Sequence, residues 1–294
     1  MDSGRILRDA GLRPRKGLGQ NFLTDRSVPP RIVAAAELAP DATVVEVGPG
    51  LGVLTAAIAE QLDPATGCLV AVELDESLLP LLRERMAPFP HFHLVPGDIL
   101  RLDPTALVAT CRSAPGTVPY HVIANLPYYI TSAVLRHFLE AVPAPARLVV
   151  MVQREVALRM VAMPPEMSLL AVSVQFYGAP RIVLRVPPGA FHPPPKVESA
   201  VVRVDVYPPD ARPVAVADPG QFFAVARAGF GQKRKQLVNS LAEGLGVPKP
   251  EAGAALAAAG IAATRRAETL TLAEWAALAA AVRETCNVQR AGGT

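Results

Sequence analysis

The chain is short of several things that would point to particular functions. Its 294 residues include three cysteines, Cys68, Cys111 and Cys286, far apart and with no CxxC pair. That spacing supports neither a disulfide framework nor a Cys-rich zinc site. No stretch approaches the roughly 18 consecutive apolar residues that a membrane-spanning helix needs. The first residues contain no hydrophobic leader core, and Asp2 and Asp9 interrupt their arginines, so neither a secretory signal nor an organellar presequence is expected. His91, His93 and His192 have no cysteine or carboxylate partners at ligand spacing, and no GxSxG, HExxH or P-loop string occurs; no metal is expected. Lysine is scarce, with only 5 of the 29 basic residues, and in an alanine-rich chain this reflects genomic base composition before any demand for arginine chemistry. The formal net charge of +3 argues against a protein that merely coats a polyanion.

What is present is apolar and unevenly charged. Half the residues (51%) are hydrophobic, enough for a sizeable core. Residues 1–31 carry seven basic and three acidic groups, residues 32–150 six and twelve, and residues 151–294 sixteen and eleven. Basic ends flank an acidic middle, a layout suited to a cationic small molecule at the centre and a polyanion at the periphery.

Short apolar runs at 43–47, 68–74, 92–95, 121–124, 148–152, 182–186 and 200–206 read as strands, several β-branched and unalternating as strands buried on both faces are. Amphipathic stretches around 51–62, 76–86, 131–140 and 154–161 separate them. The alternation predicts a Rossmann-like, doubly wound α/β domain with a mostly parallel seven-stranded sheet. The last two runs lie too close for a helical crossover and predict an antiparallel strand at the edge. The expected division is an α/β domain over 1–207, its first 31 residues a basic arm, a Pro-rich linker over 208–219, and a small all-α domain over 220–294. Helices are predicted at 221–245, 251–259 and 272–284, the last opened by a Thr271/Glu274 capping box.

Four segments carry chemistry. Residues 46–52 (EVGPGLG) form a glycine turn in which Gly48 and Gly50 let a ligand approach the backbone. Glu73, twenty-five residues after Gly48, ends the second strand where an acidic group can accept both hydroxyls of an adenosine-type ribose. The spacing fits the dinucleotide GxGxxG fingerprint poorly, although an NAD-dependent oxidoreductase stays open at this point. Asp98 follows the third strand and can accept from an adenine amino group, or simply close a turn. Asn125-Leu126-Pro127-Tyr128-Tyr129 follows the fourth. There the Asn125 side-chain oxygen and the Leu126 carbonyl, set by the rigid Pro127, offer two acceptors to an exocyclic amine whose lone pair is delocalised into its ring. Tyr128 offers a face for stacking on a flipped base.

In these segments the chain resembles the ribosomal RNA adenine N6-dimethyltransferases, and within them the small-subunit enzymes linked to kasugamycin sensitivity. The likeness covers nearly the whole length: residues 17–25 (GLGQNFLTD), 46–52, 72–75, 97–98, 125–131, 153–159, 191–202 (FHPPPKVESAVV) and 230–235 (FGQKRK) match the family's motifs in order. It implies a class I methyltransferase domain followed by a helical rRNA-binding domain. It implies S-adenosyl-L-methionine as donor and S-adenosyl-L-homocysteine as product, with Asn21, Leu23, Gly48, Gly50, Glu73, Asp98 and Asn125 around the donor. Asn125, Leu126, Pro127 and Tyr128 would be catalytic, and Phe191 the second aromatic face against the adenine. The substrate would be two adjacent adenosines in the 3′-terminal hairpin loop of small-subunit (16S) rRNA, met in an immature 30S particle by a cytoplasmic monomer with no obligate protein partner and no membrane. RNA contacts would come from Arg13, Arg15, Lys16, Lys196, Lys233, Arg234 and Lys235, the last three expected on a helix. Residues 162–168 (AMPPEMS) depart from the family's usual glycine-containing loop. Two alternatives remain: a large-subunit (23S) rRNA methyltransferase of the macrolide-resistance type, against which Leu126 and the PPPKVESAVV string weigh, and a catalytically silent rRNA-binding assembly factor, against which the intact Asn125–Tyr128 string and Glu73 weigh.

Overall fold

The computed structural model describes residues 3–111, 119–232 and 234–285. Cys286 and Lys233 lie outside them. The chain divides into two compact units, Met1–Leu158 with Ala179–Val206, and Arg159–Gly178 with Tyr207–Thr294.

The elements run in the order α1 (Ser3–Asp9), β1 (Phe22–Leu23), α2 (Val28–Ala36), β2 (Thr43–Val47), α3 (Val53–Gln61), β3 (Cys68–Glu73), α4 (Leu79–Met86), β4 (Phe92–Pro96), α5 (Pro104–Ala109), β5 (Tyr120–Asn125), α6 (Thr131–Leu139), β6 (Arg147–Gln153), α7 (Arg154–Met160), α8 (Leu169–Tyr177), β7 (Gly178–Val186), β8 (Phe191–His192) and β9 (Ser199–Val206). Helices α9 (Pro219–Phe230), α10 (Leu237–Leu245), α11 (Lys249–Ala258) and α12 (Leu272–Thr285) complete it.

Seven strands form one sheet in the order β4-β3-β2-β5-β6-β9-β7. β2 is parallel to both β3 and β5, so the winding reverses at β2/β5, where open α/β sheets leave a crevice beyond the strand ends. Every residue of β2 and β3 is buried, which is why these runs are apolar without alternation. β9 is antiparallel to β6, Arg147 opposite Asp205 and Gln153 opposite Ser199. It lies one position in from the edge, with β7 outside it.

α2 begins with prolines in its first turn, where a missing N–H costs nothing, and buries Val28, Ile32, Val33 and Ala36 on a core that includes Ile58, Leu69, Ile123 and Met151. Cys68 and Cys111 are bonded, with their Cα atoms 5.8 Å apart. This corrects the reading of the cysteines as separate: the fold brings the start of β3 to the turn after α5, which a separation of 43 residues does not reveal.

In the helical unit Trp275 is fully buried and stacks on Phe230, with ring centroids 5.2 Å apart. Gly229 permits that closeness, because a Cβ there would lie 2.4 Å from the indole. The capping box forms as predicted: Thr271 N–H donates to Glu274 Oε2 at 2.7 Å and Glu274 N–H to Thr271 Oγ1 at 3.2 Å. Residues 208–219, expected to be a linker, and Tyr207 before them fall within this unit. Tyr207 N–H donates to the Tyr177 carbonyl at 2.8 Å, and the Arg212 guanidinium lies 5.0 Å from the centres of both the Phe176 and Tyr177 rings. Residues 159–178 join the unit as well, including the atypical 162–168 segment, tied down by Gln175 Nε2, which donates to the Met160 and Ala162 carbonyls.

The predicted single helix over 221–245 is two, α9 and α10. Gly231 ends the first, and Lys235 N–H bonds back to the Gln232 carbonyl in a turn. Arg234 and Lys235 therefore sit on a turn between helices, not on a helix.

Candidate active site

The carboxyl ends of β2, β3 and β5 and the loop after β4 open into a cleft holding about 1090 Å³, part of it continuous with solvent. All of the residues expected at the donor site, Asn21, Leu23, Gly48, Gly50, Glu73, Asp98 and Asn125, line it, as do Pro127, Tyr128 and Phe191. Leu126 is buried and does not line it.

The first wall grows from β2 and β3. Gly48, Gly50 and Gly52 have φ of 69°, 57° and 75°, conformations that a side chain would strain. A Cβ at Gly48 would meet nothing within 4 Å, so the backbone there faces open space. Glu73, 5% exposed, is fixed by this turn: Gly50 N–H donates to Oε2 at 3.0 Å and Asp75 N–H to Oε1 at 2.8 Å. Burial pushes its pKa up, and the backbone bonds only partly oppose this. Each oxygen keeps capacity to accept a hydroxyl. Asp98 is half-buried and performs the turn role too, accepting Leu100 N–H at 3.0 Å.

Glu46 was not singled out by the sequence, although an acid inside the apolar run TVVEV is a signal. It is 1% exposed, lines the cleft, and neither carboxylate oxygen has a hydrogen-bond partner among the described residues. Burial pushes its pKa up to about 8; the nearby Thr55 hydroxyl opposes this and the charge of Glu73 adds to it. A buried, unpartnered carboxyl group that a cationic amine beside it would ionise, a glycine backbone facing open space and a carboxylate at the end of β3 together fit an adenosine-type ligand carrying a cationic amine.

The second wall joins segments far apart in sequence. β1 pairs antiparallel with β8, Leu23 opposite Phe191, and Thr24 N–H donates to the Ala190 carbonyl at 2.8 Å. Asn125 Nδ2 donates to the Asn21 carbonyl at 3.4 Å, which turns Oδ1 away as a free acceptor. Ile130 N–H closes the turn onto the Pro127 carbonyl at 3.2 Å. The half-buried Tyr128 is pinned by its hydroxyl, 2.8 Å from Ser199 Oγ. Burial raises the Tyr128 pKa and the Ser199 bond opposes the rise, so the ring is a neutral phenol near neutral pH. Ser199 is fully buried on β9, inside the 191–202 string, and nothing in sequence spacing links it to Tyr128.

The expected RNA contacts belong to both units. Arg13, Lys196, Arg234 and Lys235 are exposed, and Lys16 sits in the short turn Lys16–Leu18. Lys235 lies 3.7 Å from Glu243. Arg15 is an anchor: its guanidinium is 3.1 Å from Asp75 Oδ1, and its N–H donates to Gln20 Oε1, whose amide donates to Asp75 Oδ2 at 2.8 Å. Among the described residues no three His, Cys, Asp or Glu side chains are grouped so as to hold a metal ion, and no helix is long and apolar enough to cross a membrane.

Comparison with known proteins agrees with this geometry. The profile of the ribosomal RNA adenine dimethylase family matches residues 11–283. A ribosomal RNA small subunit methyltransferase A of Dehalococcoides mccartyi is 50% identical over 264 residues, covering 90% of this chain and 87% of that protein. The protein of the same name from Moorella thermoacetica is 44% identical over 278 residues, 93% of this chain and 94% of its own. Among solved structures, the 23S rRNA methyltransferase ErmE aligns with a TM-score of 0.66 at 28% identity, over 90% of this chain and all of its own. A dimethyladenosine transferase from Plasmodium falciparum shares the fold, with a TM-score of 0.73 at 20% identity, over 90% of this chain and 98% of its own. The chain belongs to the ribosomal RNA adenine dimethylase family.

Proposed function

We propose that the protein is a 16S rRNA adenine-N6 dimethyltransferase that methylates two adjacent adenosines in the 3′-terminal hairpin loop during small-subunit biogenesis. The observation that carries this reading is that one cleft holds both the glycine turn with Glu73 and the Asn125–Tyr128 turn with Phe191. S-adenosylmethionine, when bound, supplies an electrophilic methyl group. Gly48 and Gly50 would hold it along their backbone, with Asn21, Leu23 and Asn125 lining the second wall of the same cleft; Glu73 would accept its ribose hydroxyls and Asp98 its adenine amine. On the acceptor side Tyr128 and Phe191 hold the extruded base between aromatic faces. In the first transfer Asn125 Oδ1 and the backbone carbonyl of the buried Leu126 accept the two N6 hydrogens and draw the lone pair out of conjugation; in the second the monomethylated amine has one hydrogen left for either acceptor, and each transfer releases one N6 proton. Their contribution is positioning and electrostatics matched to the tetrahedral nitrogen.

Two relatives named as small-subunit methyltransferases, 50% and 44% identical, support the choice of RNA. Exposed Arg13, Lys196, Arg234 and Lys235 are available to phosphates, and the helical unit is the RNA-holding domain in this reading. The protein acts as a cytoplasmic monomer on an immature particle, whose prearranged helices offset the few kcal/mol that base extrusion costs. The likeness to ErmE favours one rival, a single large-subunit adenine. Incubating unmethylated small-subunit particles, naked rRNA and large subunits with labelled donor, then mapping the label, tests the reading, with Asn125→Ala as the inactive control. Two dimethylated neighbours in the small subunit are expected; label on one large-subunit adenine, or no transfer at all, overturns it.

A further inference from the structure

Tyr129 has no role in the chemistry derived above, yet it is a tyrosine held 61% exposed at the rim of the cleft. It is the only aromatic among the exposed large apolar side chains of the described residues. Isolated exposed apolar side chains are common and need no explanation, but three observations distinguish this one. It lines the same cleft as Tyr128, Asn125 and Phe191. One edge of its ring is seated on the N-terminal arm, since a Cβ on Gly19 would lie 3.4 Å from its Cδ1 and Cε1 atoms and 3.7 Å from Pro127 Cβ. And its hydroxyl bonds to no described residue, whereas that of the adjacent Tyr128 is tied to the buried Ser199. The two neighbouring rings thus differ in setting: one is half-buried and pinned, the other is supported along an edge and otherwise exposed.

An aromatic ring seated in this way is a stacking platform. Extruding one base from an RNA loop leaves the next base with one bare face at the cleft mouth. We propose that Tyr129 stacks on the nucleobase flanking the adenosine being methylated, and so selects a loop with a stackable purine beside its target. The proposal rests on the reading that the substrate is a pair of adjacent adenosines. While one occupies the pocket the other lies on Tyr129, and exchanging them presents the second without releasing the loop.

The test uses full-length protein and a hairpin RNA carrying the adjacent pair, one adenosine replaced by the fluorescent base 2-aminopurine. Stacked 2-aminopurine stays quenched, and unstacked 2-aminopurine brightens. At saturating protein, wild type and Tyr129→Phe should keep it quenched; Tyr129→Leu, which retains apolar bulk against Gly19, should let it brighten. Tyr129→Leu should also weaken hairpin binding by roughly 5- to 160-fold, the range for losing one base–aromatic stack. Its melting temperature and calorimetric donor affinity should match wild type. On small-subunit particles it should raise KM for the particle more than it lowers kcat. If Tyr129→Leu binds and quenches as wild type does, the ring merely packs on the arm and the proposal fails alone. If wild type leaves small-subunit particles unmethylated, the parent reading fails and takes this proposal with it.

Discussion

Replacing Glu46 by glutamine removes a buried charge without changing the shape of the cleft wall, and its effect can be worked out in advance. The carboxyl group has a pKa of about 8 in the folded chain, against 4.5 when it is free. A raised carboxyl pKa means the folded state holds a proton that the unfolded state releases. The stability from this group is therefore fully present below pH 4.5, falls between 4.5 and about 8, and stays low above that. At about 1.36 kcal/mol per pKa unit, the loss across this window is on the order of 5 kcal/mol. Glu46→Gln cannot ionise, so this slope should vanish in the variant. Its buried amide adds a constant offset of either sign, so the informative quantity is how the difference between the proteins changes with pH. Urea unfolding of both at pH 5, 7 and 8.5 measures it. The variant should gain on wild type at each step, and by several kcal/mol overall. Parallel stability curves would show that Glu46 is ionised or hydrated in the folded chain, and would refute the reasoning.

Two further outcomes are expected. Glu73→Ala should leave the protein folded and weaken S-adenosylmethionine binding by roughly 1.5–3 kcal/mol, the range for a hydrogen bond to a charged group; unchanged calorimetric affinity would remove Glu73 from the donor site. Tyr128→Phe and Ser199→Ala each break the 2.8 Å bond that pins the ring, so each should lower methyl transfer modestly, by about 0.5–1.5 kcal/mol, and the double variant should be no worse than either; additive losses would show that the two residues act separately.

The α/β domain was legible because its signal is local. The runs TVVEV and CLVAVE are apolar on both faces because both faces are covered, and glycines stand where the chain leaves β2 for α3. The donor site was legible for the same reason: Gly48, Glu73, Asp98 and Asn125 each follow or end a strand, and parallel strands bring their carboxyl ends to one edge. What could not be read depends on contacts between distant segments. The Cys68–Cys111 bond, the Tyr128–Ser199 bond, 71 residues apart, and the grouping of 159–178 with the C-terminal helices leave no periodicity in the sequence. The break between α9 and α10 had a local sign in Gly231, overridden by the continuous apolar pattern on either side.

Residues 15–25 connect the two walls. Asp75, just beyond Glu73, is almost wholly buried, and burial alone would drive its pKa up; bonds from Ser77 and Gln20 and the charge of Arg15 outweigh that and hold it below the usual carboxylate range. The anion therefore persists, satisfied by Ser77 on its own loop and by Arg15 and Gln20 of the arm. A few residues on, the same arm offers the Asn21 carbonyl to the Asn125 amide and pairs Leu23 with Phe191. Asn125 can present its oxygen to an incoming amine only while its nitrogen is held, and the arm that holds it is fastened beside Glu73. Order on the side of the glycine turn is thus physically continuous with order on the side of the NLPY turn, through one segment and two hydrogen-bonded anchors. This explains why the 17–25 string, which contains no charged catalytic group of its own, belongs to the site as fully as the strand ends do.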